Sequence, residues 1–323
     1  MKKAVNPNGS SSSGFLTSSL RRMLGAVLVL AAVAPLSAMA IRAPESRERL
    51  ASPSSLEITV APDHWGRAEA ADIQLVLQRT AAEFQAYVTK PGDQPIKIRV
   101  IPRFNSPRVL YERGPEGEYV VHLTARDERW FQYAYQFSHE LCHILSNFDH
   151  KAVVGDEVAS HNQWFEETLC ETASLFTLKR LATTWESNPP AHKWIGYGPT
   201  FAAYASYLLG ENHRRLPAAQ QLDQWYRDNR IALQETPYLR EKNELAATAL
   251  LPLFEKTPDL WRAIGYLNTD QASAAKTFPE YLADWQAACP PREQELVHQT
   301  MALFGIKGET SPDTNMAWLA YLI

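Results

Sequence analysis

The pentapeptide His139-Glu140-Leu141-Cys142-His143 constrains this chain more tightly than any other stretch. Residues four apart on a helix share a face, so both imidazoles can be turned on one metal ion. Glu140 follows His139 by about 100° of helix rotation, close enough to reach a water at that ion without ligating it. The flanks, Trp130 to Phe137 and then Leu141, Ile144 and Leu145, read as a mostly buried helix with Asp127 as its N-cap. Polar side chains carried into a core are costly unless something satisfies them, so the fold must bring partners to this stripe.

The next candidate partners lie on a second helix. After Asn147-Phe148-Asp149-His150 a polar, loop-like stretch runs to about Ser160, and a helix is predicted from Gln163 through Phe176. Ser160 and Gln163 have the Ser-x-x-Gln spacing of a capping box. Glu167 and Glu171 share a face of this helix and offer one metal ligand and one carboxylate to orient a ligand histidine.

His139-Glu140-Leu141-Cys142-His143 followed by Trp164-Phe165-Glu166-Glu167-Thr168-Leu169-Cys170-Glu171 resembles the gluzincin group of zinc metallopeptidases, to which thermolysin and aminopeptidase N belong. The resemblance spans roughly residues 128 to 176 and is specific to the clan, not to one family in it. It implies a Zn²⁺ held by His139, His143 and Glu167, with Glu140 as general base and Glu171 hydrogen-bonded to the first histidine. Glu166 stands where the group usually has Asn, and Thr168 where Gly is common. Glu166 therefore stays open as an alternative ligand; otherwise it is expected to face solvent or the cleft wall.

The reaction so implied is hydrolysis of a peptide bond in a peptide or protein substrate. Metal activates a water, Glu140 takes its proton, and the proton later goes to the leaving amine. In the resembled group a Tyr or His from the helical half assists the oxyanion. Tyr197, Tyr204, Tyr207 and His213 are the candidates here, with Tyr204 favoured. From another class comes a zinc-stabilised exported binding or scaffold protein with a vestigial site; Glu140 argues against it, since a structural zinc has no use for that residue.

The N-terminus carries Arg21-Arg22, an apolar run from Met23 to Leu36, and Ser37-Ala38-Met39-Ala40. These are the parts of a secretory signal peptide, with cleavage expected after Ala40. The apolar stretch is also long enough for an uncleaved anchor, which would tether the catalytic part outside the cytoplasm. Export to periplasm or medium is the expectation, with membrane contact only through such an anchor. The chain has 32 Lys and Arg against 36 Asp and Glu, and no basic run with interleaved aromatics, so nucleic acid is not an expected partner. Of three cysteines, Cys142 and Cys170 flank the presumed ligands and are expected to pack as free thiols, although a bridge between them is geometrically open.

Between the leader and the motif, Leu56 to Val60 and Ile96 to Val100 alternate as strands, and Ala70 to Val88 reads as an amphipathic helix. Pro91-Gly92-Asp93 reads as a turn. Residues 108–113 and 118–123 read as a hairpin around Gly114-Pro115-Glu116-Gly117. From Gln163 onward nearly everything reads as helix. The expected fold is α+β: a small α/β subdomain with a mixed sheet (41–150), then a mainly helical subdomain (151–323), with zinc between them. By resemblance, Tyr119 to Leu123 would form the cleft's rim, where a peptide adds as a strand.

Overall fold

Alternating apolar residues build a small sheet. In the computed structural model, which describes residues 55–88, 95–151, 153–154, 157–158 and 160–307, strand β1 (Leu56–Val60) pairs in parallel with β2 (Ile96–Pro102), setting Ile58 beside Ile98. β2 pairs in parallel with β4 (Tyr119–Leu123), and the short β3 (Arg108–Val109) pairs antiparallel with β4. The order β1-β2-β4-β3 makes a mixed four-stranded sheet, and the fold is α+β as expected. Ile58, Ile98, Val100, Val109 and Val121 are buried against helices α1 (Ala70–Gln85) and α2 (Trp130–Leu145), while the alternate residues Thr59, Arg99 and Arg108 are exposed.

The hairpin forms with β4 inside the sheet. The expectation that Tyr119 to Leu123 would be the open rim is therefore corrected: β3 is the edge, and β4 is paired on both sides. Alternation alone does not distinguish an inner strand from an outer one.

Asp127 does not cap α2. It adopts φ 55°, and its carboxylate accepts from the Arg67 backbone N–H at 3.0 Å. The turn it pins needs Gly66 (φ 73°), where a Cβ would come within 2.5 Å of the Asp127 oxygen. α2 ends at Leu145 with Ser146 as its C-cap, followed by Asn147 in the left-handed region that closes helices.

A short hairpin of β5 (Val153–Val154) and β6 (Glu157–Val158) leads to α3 (Gln163–Ser187), which starts one residue after Asn162. The Ser160 capping box is likewise corrected. Ser160 Oγ accepts from Asn162 N–H, and the Gln163 side chain donates to Glu167 instead. α3 is buried almost all round from Trp164 to Leu178, as a central helix must be, and packs against α2, α4 (Gly198–Gly210) and α6 (Arg240–Lys256). α5 (Leu222–Glu235), α7 (Phe278–Ala288) and α8 (Pro291–Leu303) complete the helical part.

The described residues all belong to one compact unit, residues 50–323, and the boundary expected at residue 150 passes between α2 and α3. No helix among them is long and apolar enough to cross a membrane. The signal segment, its cleavage point and the Pro91-Gly92-Asp93 turn lie outside the described residues.

Candidate metal centre

α2 and α3 press together so that their polar stripes meet. His139 Nε2 lies 3.2 Å from Glu167 Oε2, and His143 Nε2 lies 3.5 Å from Glu167 Oε1. Donors bound about 2.0–2.1 Å from one tetrahedral ion stand about 3.3 Å apart, so these spacings suit a shared ion as well as direct hydrogen bonds.

The other ring nitrogens face acids on the same helix. His143 Nδ1 pairs with Glu166 at 2.5 Å, and His139 Nδ1 lies 4.0 Å from Glu171. Glu166 is thus hydrogen-bonded at His143 Nδ1, where a carboxylate fixes the tautomer that leaves Nε2 free for a metal, whereas Glu171 lies beyond hydrogen-bond distance of His139 and the bond expected between them is not formed. Glu171 is itself held by the Tyr135 hydroxyl at 2.6 Å and by Arg214 at 2.8 Å.

The expectation that Glu166 faces solvent or the cleft wall is corrected. Glu166 is 2% exposed and accepts from His143, the Lys151 ammonium, Ser146 Oγ and Asn268 Nδ2. Despite burial, Lys151 and then His143 hold its pKa below the usual carboxylate range. Lys151 and Asn268 were missed because their own sequence neighbourhoods carry no motif.

His139 and His143 also place ring nitrogens within 4.8 Å of Cys170 Sγ, so the possible metal-binding group has two third donors to weigh. Cys170 is fully buried; burial, and then its hydrogen bond to Cys142, keep the thiol protonated. Glu167 has the opposite character. Although burial would raise its pKa, His143 and His139 hold it well below the usual value, so it is an anion between two imidazoles. The group with metal-like spacing is His139, His143 and Cys170, and Glu167 is the neighbouring donor that is held as an anion. No disulfide joins the cysteines; Cys142, Cys170 and Cys289 are free and buried.

Glu140 is 4% exposed. Burial raises its pKa, partly offset by His139, His143 and the Val109 backbone N–H, which hydrogen-bonds its carboxylate. Leu110 N–H is spent on Val120 O, so the Val109 N–H faces away from β4, toward the site.

These groups border a cavity of about 900 Å³. Tyr204 does not line it, and that expectation is corrected: it packs tilted against Phe131 and edge-to-face against Tyr135 of α2. Tyr197 packs on Trp185 and Phe201, Tyr207 is mostly exposed, and His213, not itself in the lining, pairs at 2.5 Å with Glu244, which is. Glu211, His213 and Glu244 form a second cluster with metal-like spacing, but Arg214 and Arg240 already neutralise its carboxylates.

The tyrosines at the cavity are Tyr111, Tyr135 and Tyr238. Tyr135 is committed to Glu171. Tyr111 lies stacked on Phe148 at 4.7 Å. Burial, then Tyr238 and the Glu166, Glu167 and Glu140 carboxylates, keep its hydroxyl protonated and able to donate. No motif marks it in the sequence, because β3 is recognisable as the edge only from the sheet order. No protein-family model matches this chain, and no curated protein sequence matches it.

Proposed function

We propose that this protein is a zinc-dependent peptidase in which His139 and His143, through Nε2, and Glu167 hold the ion. The single observation supporting this most strongly is the double convergence: both Nε2 atoms face Glu167, while Glu166 bonds His143 Nδ1 and Glu171 lies 4.0 Å from His139 Nδ1. When bound, zinc supplies a Lewis acid for water and for the peptide carbonyl.

The chain's own residues do the rest. Glu140 takes a proton from the attacking water and delivers it to the leaving nitrogen; a carboxylate whose pKa is raised by burial is a better base and then a competent acid. An extended substrate lies beside β3, whose Val109 peptide group faces the site. The Tyr111 hydroxyl donates to the oxygen that becomes negative. A cavity of about 900 Å³ at the ligands supports catalysis over a closed structural zinc. The N-terminal segment is the basis for placing the reaction outside the cytoplasm, in periplasm or medium.

The test is hydrolysis of an unfolded protein by the purified, zinc-loaded chain. Activity should vanish on chelation and return with zinc. A zinc-loaded, folded protein that cleaves nothing would favour the scaffold reading instead.

A further inference from the structure

A second depression adjoins the cleft on the outer side of the sheet. Phe104, Asn105 and Arg108 line both, and the smaller notch, about 420 Å³, is completed by Pro102, Arg103 and His122. Its charge is one-sided: two arginines and a histidine line it, with no Asp or Glu.

The sheet register builds this arrangement. Arg108 and His122 are direct partners across the β3–β4 ladder, on the face opposite buried Val109 and Val121. Arg103, just past β2, is fixed by its backbone N–H to Leu123 O at 2.9 Å. Next to it, the Arg126 guanidinium sits between Trp65 and the 94%-exposed Phe104 and donates to the Arg103 carbonyl, so it adds positive charge beside the rim.

Two polar atoms here are buried with no hydrogen-bond partner among the described residues: Arg103 Nη1 and His122 Nδ1. Nor does either arginine form an ion pair among the described residues. Unsatisfied buried donors are rare, because each forfeits hydration without return. Cationic donors gathered around a hollow with no acid to answer them fit an oxyanion.

We propose that the notch is an anion-binding site, with Arg103, Arg108 and His122 taking a carboxylate or phosphate group. The group can come from an acidic side chain of a polypeptide running out of the adjoining cleft, or from a free anion. Burial and then the two arginines depress the His122 imidazole, and a bound anion would relieve that depression. The site stands on its own geometry and does not depend on the reaction assigned to the metal centre.

The test is titration of the full chain, ¹⁵N-labelled at histidine, with inorganic phosphate. The His122 nitrogen signals should shift and saturate, and Arg103→Gln with Arg108→Gln should weaken this by about tenfold or more, as the loss of charge-assisted hydrogen bonds implies. Arg99→Gln, an exposed arginine on the same face outside the notch, serves as control and should change little. A shift that does not saturate, one unaltered in the double variant, or one weakened equally by Arg99→Gln overturns the proposal. Two unfolded peptides differing only by Glu or Gln then identify the source. Displacement of phosphate by the Glu peptide alone assigns the notch to an acidic polypeptide, and displacement by neither assigns it to a free anion.

Discussion

His143 Nδ1 lies 2.5 Å from Glu166, and the same carboxylate is bonded to Lys151, whose side chain is 3% exposed. One acid thus aims a candidate ligand and neutralises a buried cation. Glu166→Ala should weaken zinc binding by about 10–100-fold through the freed histidine. It should also cost about 3–5 kcal/mol of stability through the stranded lysine. Adding Lys151→Met should recover much of the stability but little of the affinity. Denaturant unfolding and zinc titration of both variants separate the two effects; recovery of affinity by the second change would contradict the orienting role.

The third ligand is decided by anomalous scattering at the zinc edge from a crystal of the zinc-loaded protein. One peak should sit among His139 Nε2, His143 Nε2 and Glu167. Glu167→Ala should lose that peak, and Cys170→Ala should keep it. A peak on Cys170, or on Glu211, His213 and Glu244, would reject the assignment.

Metal-free protein should carry a proton on His143. Burial opposes that charge, but Glu167, with hydrogen bonds to Glu166 and Glu167, pushes the pKa up to about 10. The folded value exceeds the ~6.5 of an unfolded histidine, so the stabilisation is fully present below about 6.5. It is lost as pH rises through about 10. Zinc must expel this proton, so affinity should rise with pH across the same window. Calorimetry in buffers of different ionisation enthalpy should show about one proton released per zinc near neutrality; no release would contradict the pairing.

Tyr111→Phe should lower kcat by about 10²-fold if its hydroxyl meets the developing oxyanion. Tyr204→Phe should leave turnover near the wild-type level, because that residue packs against Phe131 and Tyr135 of α2 and does not line the cavity. Steady-state kinetics of the two variants check this, and the reverse ranking would restore Tyr204.

Much of this site is legible in the sequence. The helical spacing of His139, Glu140 and His143 fixes their common stripe, and the second helix with Glu167 and Glu171 follows from its own apolar run. The role of Glu166 is not legible there, because adjacent glutamates look alike until the helix's rotation is set by packing, and α3 is buried on nearly every side. Lys151 and Asn268 reach Glu166 from separate parts of the chain, so no local pattern reveals them. Strand alternation located β4 but could not say which neighbour covers it, and the rim passed to β3. Asp127 looked like a cap because Asp favours both N-caps and left-handed turns, and the turn with Gly66 prevailed.

Glu140 bears the central claim, since it alone separates a working peptidase from a zinc-holding scaffold. The most direct measurement is hydrolysis of an unfolded protein by zinc-loaded Glu140→Gln beside the wild type, with metal content determined on the same samples. Full zinc, a native fold and a loss of nearly all turnover are the expected result, because the substitution keeps the buried side chain's shape and removes only the proton acceptor. Wild-type turnover in the Glu140→Gln protein would contradict it.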